Sequence, residues 1–288
     1  MEVVKDRKRG HSIFEGTIAD MTWIEVEQAA TNNSIMIVPI AVIEQHGPHL
    51  PLATDTYGAY ILSLLSKEEL EKQNIPTVIA PPFYFGGSSS TKMFPGTVHI
   101  NSESMIAVLT DSFVSYMHSG FKKQFIINHH GDPQHNIAIL QAMLNAREKG
   151  VDVVFVAAGF LTNMEIPRDL ELPSSSFIRA LPSDETKAAY QRLVRAKMDP
   201  HAGERETSLI MRWFPDTLKD GENIADYEPV IQTRAEFIQA ARSNGWRDHY
   251  PLGYVGEPHL ATEEKGEIYA YEARDIANAI AGYLADLS

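Results

Sequence analysis

The sequence predicts an α/β protein with a central, mostly parallel sheet. Two observations carry that reading. Short apolar, β-rich runs recur at Ile35-Met36-Ile37-Val38, Thr77 to Ala80, Phe125 to Ile127 and Val151 to Ala157. Uniformly apolar runs of this kind belong to strands buried on both faces of a parallel sheet. Helical patterns separate these runs, and alternation of strand, loop and helix is the mark of an α/β fold. With 288 residues and 44% hydrophobic content the chain has material for a sizeable core. We read residues 1–288 as a single domain, with a polar N-terminal arm (1–16) and a charged, Pro/Ser-rich excursion over the active face (161–200).

Taken in order, Thr22 caps a short helix over Ile24 to Ala30, and Glu25 completes a capping box. The first strand extends from Ile35 toward Ile43. Pro39 has no N–H to give to a ladder, which leaves room for a bulge or break there. Tyr60, Ile61, Leu64, Leu65 and Leu70 define a helix over Tyr57 to Gln73. After the second strand, Pro81 to Ser90 forms a Gly/Ser loop too long for a plain turn, either substrate-facing or an idle surface loop. Asn101 opens a helix that runs to His118 and closes at Gly120. Asp132 as N-cap and Pro133 at the first position start another, ending near Glu148. A further helix starts within His201 to Ser208 and stops before Pro215, and a final amphipathic helix covers Ile268 to Leu287.

Composition narrows the function classes. A formal charge of -13 argues against nucleic acid as a partner, and the short basic run Lys5 to Arg9 is read as a solvated arm. There are no cysteines, which removes disulfides, thiolate metal sites and Cys nucleophiles. No apolar run is long enough to span a bilayer and no signal peptide is apparent, so a soluble cytoplasmic enzyme is expected.

The chemistry gathers after the strands. The first strand runs into Glu44-Gln45-His46-Gly47-Pro48-His49, with Asp55 close behind, and the third into Asn128-His129-His130-Gly131-Asp132. Ligands of open α/β sheets bind just beyond the carboxyl ends of the strands. Carboxylate and imidazole together suit zinc, iron or manganese. A two-metal hydrolytic site needs a bridging carboxylate and further ligands for each ion. Asp55 can bridge, and Glu44, His46 and His130 can complete most of both shells. His129 and His130 point to opposite sides of an extended segment, so His130 is taken as the ligand. Asp132 is either a further ligand or a helix cap, and Glu206 either a ligand or an acid at a helix start. His201 titrates near neutrality and is the expected acid–base group.

These residues resemble the creatininase (creatinine amidohydrolase) family. The matching pieces are Pro39 to Leu52 with Thr54-Asp55, Phe94-Pro95-Gly96-Thr97, Asn128-His129-His130-Gly131, His201-Ala202-Gly203-Glu204 with Glu206-Thr207-Ser208, and Gly256 with Pro258 and the Ala261-to-Gly266 segment. The resemblance implies a single three-layer α/β/α domain, one or two divalent ions per chain (Zn, Mn or Fe), hydrolysis of a C–N bond in a small polar substrate, and a homohexamer. It places Glu44, His46, Asp55 and His130 on the family's metal positions. Asp132 falls where creatininase itself has a Glu ligand, and His201 on the proton-transfer position. Gly131 stands where creatininase has an aromatic residue against its substrate, and Met198 near where a Trp is expected. Both departures point away from creatinine.

The expectation is therefore an amidohydrolase that cleaves a cyclic amide, formamide or similar bond through metal-bound hydroxide. Metal would be held by Glu44, His46, Asp55, His130 and Asp132, catalysis would use His201 and Glu206, and Ser88, Ser89, Gly131 and Met198 would bound the substrate pocket. A ring-opening hydrolase of a cyclic keto-sugar or keto-inositol is the alternative enzyme, and a non-catalytic metal-binding scaffold the alternative from another class.

Overall fold

Both faces of the central strands are apolar because both are covered. In a computed structural model describing residues 12–168, 170–219, 221–231, 233–242 and 246–286, five strands form one parallel sheet. They are β1 (Ile35–Ile40), β2 (Thr77–Ile79), β3 (Lys123–Asn128), β4 (Asp152–Ala157) and β5 (Phe177–Arg179), in the order β2-β1-β3-β4-β5. The helices are α1 (Trp23–Thr31), α2 (Thr54–Lys72), α3 (Ser102–His118), α4 (Pro133–Glu148), α5 (Asp184–Leu193), α6 (Glu204–Trp213), α7 (Arg234–Arg242), the single turn α8 (Trp246–His249) and α9 (Ile268–Ala285). The basic run Lys5 to Arg9 and the expected last helical residue, Leu287, lie outside the described residues.

Side chains of a strand leave alternately to opposite faces. Ile35, Ile37, Phe125, Ile127, Val154 and Val156 enter a core closed by α2, α5, α6 and α9. Met36, Val38, Ile40, Ile126, Val153 and Phe155 enter a second core closed by α1, α3 and α4. Each fully buried Ile or Phe contributes about 1.5–3 kcal/mol relative to exposure, so the two cores hold the three layers together.

Several expected boundaries move for physical reasons. The ladder runs unbroken through Pro39, which pairs with Ile127 of β3. Its nitrogen faces the β2 side, where the β1–β2 ladder ends at Ile37 and Ile79 and the Phe83 N–H donates to the Pro39 carbonyl at 2.9 Å, so no β1–β3 bond is lost. The strand stops at Ile40, and Ala41 to Ile43 continue as irregular chain, Ala41 and Val42 buried and Ile43 half-buried. Helix α2 begins at Thr54, which brings Asp55 into its first turn. The 161–200 stretch is more than an excursion: its β5 forms one edge of the sheet, and its α5 buries Ala189 and Leu193 in the first core. Other expectations hold, including the Thr22–Glu25 capping box and the Asn101 and Asp132 caps.

From β1 the chain crosses first to β2 and later to β3 on the other side. That makes the gap between the carboxyl ends of β1 and β3 a topological switch point, where open α/β sheets leave a crevice. The acid and imidazole residues sit at that gap.

Candidate active site

Three carboxylates and three imidazoles meet above β1 and β3. Glu44 and His46 come from the chain after β1, and Asp55 from the first turn of α2. His130 follows β3, His201 precedes α6, and Glu206 lies in the first turn of α6. Glu44, His46, Asp55, His130 and His201 are all buried. Their ligand atoms form three compact groups: Glu44–His46–His201, Glu44–Asp55–His130 and His46–Asp55–Glu206.

The orientation of each ring follows from its backbone partner. His46 Nδ1 donates to the Glu44 carbonyl at 3.1 Å, leaving Nε2 3.4 Å from Asp55 Oδ1 and 3.8 Å from Glu206 Oε2. That buried Nε2 has no hydrogen-bond partner. His130 Nε2 donates to the Gly87 carbonyl at 3.0 Å, and its Nδ1 lies 2.8 Å from Asp55 Oδ2 and 3.5 Å from Glu44 Oε1. His201 Nε2 lies 2.8 Å from the Gln45 carbonyl and 3.0 Å from the Gln45 side-chain nitrogen. A carbonyl only accepts, so the shorter contact puts the proton on Nε2. Nδ1 then turns toward Glu44 Oε1, 3.7 Å away. All three rings thus give an N–H to a backbone carbonyl and aim the other nitrogen at carboxylates. Metal-binding histidines are oriented in this way.

Electrostatics agree with a site built for positive charge. Burial disfavours a charge on His46, but Asp55, Glu206 and Glu44 outweigh it and hold the imidazole up at about 10. Burial is likewise outweighed at His130, which Glu44 and Asp55 raise to about 9. Burial alone would raise Asp55, but His46 and His130 pull it well below the usual carboxylate range. His201 shifts the other way: burial, then repulsion from His46, lowers it and favours the neutral ring. Protons on His46 and His130 occupy the role a cation would take among these acids. The donor set and the partnerless Nε2 of His46 fit a divalent metal.

The remaining expected residues divide. Asp132 is an N-cap: it accepts from the Gln134 and His135 N–H groups at 2.8 and 3.2 Å and from the Ser89 N–H at 2.8 Å. It lies outside the three groups. The Gly/Ser loop presses onto the cluster, because the Gly87 carbonyl orients His130 and the Thr91 hydroxyl donates to Glu44. Ser88 is buried by this, its N–H donating to His99 Nδ1 at 3.0 Å. Neither Ser88 nor Ser89 lines the adjoining cavity of about 350 Å³, whereas Ser90, Thr91 and Gly131 do. Met198 is absent from its wall, which is formed by the neighbouring Asp199 and Pro200.

Several wall residues escaped sequence reasoning. Asp199 accepts from the Glu204 and Arg205 N–H groups at 2.7 and 2.8 Å and anchors the start of α6, while burial raises it to about 6. Phe160, Arg205, Trp246 and Tyr269 also face the cavity, with Trp246 edge-on to His201 at 6.0 Å. Gln45, which holds His201 from outside that wall, was also missed, although its place between Glu44 and His46 carried a signal in the sequence.

Fold and site together define a parallel α/β protein with a buried carboxylate–imidazole cluster at the switch point. The chain belongs to the creatininase family of hydrolases: the family model, described as creatinine amidohydrolase, matches residues 19–280. Among curated relatives, a mycofactocin precursor peptide peptidase of Mycolicibacterium smegmatis is 28% identical over 251 residues, covering 85% of this chain and 84% of the relative. A 3-dehydro-scyllo-inosose hydrolase of Thermotoga maritima is 23% identical, covering 86% and 76%. Of the solved structures, a creatinine amidohydrolase (creatininase) superposes with a TM-score of 0.65 at 21% identity, covering 93% of this chain and 97% of its own. Other solved creatininases of this fold are described as a manganese form and a Zn–Zn form.

Proposed function

We propose that this protein is a divalent-metal-dependent amidohydrolase acting on a C–N bond of a small polar substrate. Glu44, Asp55 and His130 would hold one cation. His46, Asp55 and Glu206 would hold a second, with Asp55 common to both groups. This assignment gives Glu206 the ligand place that the sequence offered to Asp132. The supporting observation is the common orientation of the three imidazoles. When bound, a divalent cation supplies Lewis acidity, acidifying water and polarising a carbonyl oxygen. Zinc, manganese and iron all suit a mixed carboxylate–imidazole set.

The chain's own groups complete the chemistry. Burial keeps His201 neutral, the Gln45 carbonyl holds its Nε2 proton, and Nδ1 is left to take a proton from the attacking water and pass it to the leaving nitrogen. The Thr91 hydroxyl fixes one Glu44 oxygen, so Glu44 cannot swing away. The peptidase relative supports amide cleavage, and the inosose hydrolase relative supports the ring-opening alternative.

The test is a panel of cyclic amides, formamides, short peptides and cyclic keto-sugars, assayed with metal-loaded and chelator-treated protein. Metal-dependent cleavage of an amide is expected. Ring opening of a keto-sugar without amide cleavage would replace the C–N reading. Turnover of nothing by the metal-loaded protein would favour a scaffold.

A further inference from the structure

Arg205 brings a fixed positive charge to a cavity otherwise rich in acids. Among the described wall residues it is the one Lys or Arg side chain, facing Glu44, Asp55, Asp132, Asp199 and Glu206. Its guanidinium is held rigidly. Nη2 donates to Glu272 Oε1 at 2.8 Å, and Cζ lies 5.5 and 5.7 Å from the ring centroids of Tyr190 and Tyr269. The Tyr190 hydroxyl donates to the same Glu272 oxygen. Arg205 Nε is buried with no hydrogen-bond partner. An unsatisfied buried donor costs stability, and on a residue that lines the cavity it is a donor an entering acceptor can use.

The fork is also joined to the cluster by a continuous wall. Asp55 Oδ1 lies 3.5 Å from His129 Nδ1, His129 Nε2 lies 3.2 Å from the Tyr269 hydroxyl, and the Tyr269 ring packs against the guanidinium. A second cavity of about 260 Å³ meets the first at Phe160 and Arg205, so there is space on both sides of the fork. A planar guanidinium matches a carboxylate through paired N–H donors. The surrounding acids disfavour a more highly charged anion.

We propose that Arg205 is the receptor for a substrate carboxylate, so that the amide cleaved here belongs to a molecule carrying a carboxylate close to the scissile C–N bond, as short peptides and N-acyl amino acids do. This rests on the amidohydrolase reading above. The test compares calorimetric binding of N-acetylglycine with that of N-acetylglycinamide, on metal-loaded and on chelator-treated protein. Wild type is expected to prefer the carboxylate by about tenfold or more in both states, since charge-assisted bonds are the strong ones. The preference is expected to vanish in Arg205→Gln. It should vanish equally in Arg205→Gln/Glu272→Gln, which leaves no buried charge unpaired and guards against misfolding. Thermal melts report that both variants are folded. An unchanged preference in either folded variant, none in wild type, or one that disappears on chelation alone would overturn the proposal. A silent substrate panel with the Arg205-dependent preference intact would count against the hydrolase reading and leave the carboxylate site standing.

Discussion

Asp55 offers one oxygen to each of two histidines, and its Oδ2 lies 2.8 Å from His130 Nδ1. The other oxygen, Oδ1, is 3.4 Å from His46 Nε2. The two rings reach it from different strands, and α2 delivers the carboxylate from its first turn. One short side chain thus joins the residues that follow β1 to those that follow β3.

Asp132 and Glu206 are separated by their partners, and variants should separate them too. Asp132→Ala removes a helix cap, at a cost of about 1 kcal/mol, and lowers the melting temperature with metal content unchanged. Glu206→Gln lowers metal content by about one ion per chain. Elemental analysis and thermal melts of the two variants check this; loss of metal from the first and not the second would reverse the assignment.

His201 acts on protons in this account. His201→Asn is expected to lower kcat by about 10²–10⁴ while metal content stays at the wild-type level. Kinetics on the substrate identified by the panel, beside elemental analysis, test it. Parallel loss of metal would make His201 a ligand.

The metal-free protein should be most stable near pH 6.5. His46, held at about 10, and His130, at about 9, are raised above the ordinary 6.5. Their contribution is fully present below pH 6.5 and is lost as pH rises through about 9 to about 10. His135 and His201 are depressed, first by burial, so their contribution is present above 6.5 and is lost as pH falls below it. Metal replaces the protons on His46 and His130, so its uptake at neutral pH releases protons and removes the alkaline decline. Melting curves from pH 5 to 10, with and without metal, measure this. A metal-free midpoint that climbs steadily to pH 10 would contradict it.

Gly203 is required by space. A Cβ there would lie 1.6 Å from Asp199 Oδ1, the oxygen that accepts the Glu204 N–H at the start of α6. Gly203→Ala is expected to cost about 1–3 kcal/mol, as overpacking does, and to displace Glu206. Denaturant melts and metal content test both effects; wild-type values for both would show that Asp199 moves freely.

The sequence made the ends of β1 and β3 legible because buried parallel strands and their abrupt polar endings are local patterns. Glu44, His46, Asp55 and His130 could be named from those patterns, and the structure brings them together. Asp132 and Glu206 were undecidable locally, since each is an acid at a helix start. What separates them is the direction of α4 and α6 relative to the cluster. The edge strand β5 is only partly buried and ends in Arg179, so it lacks the apolar run that made the equally short β2 legible, and its pairing with β4 is set by tertiary packing. Arg205, Tyr269, Phe160 and Trp246 reach the cavity from four distant segments, and no spacing in the chain announces that meeting.

Metal content per chain, for wild type and Asp55→Ala purified without chelator, tests the central claim most directly. The account predicts close to two ions in wild type and one or none in the variant, because each group that loses Asp55 keeps only two of its ligands. No metal in wild type, even after reconstitution with zinc, manganese or iron, would contradict it.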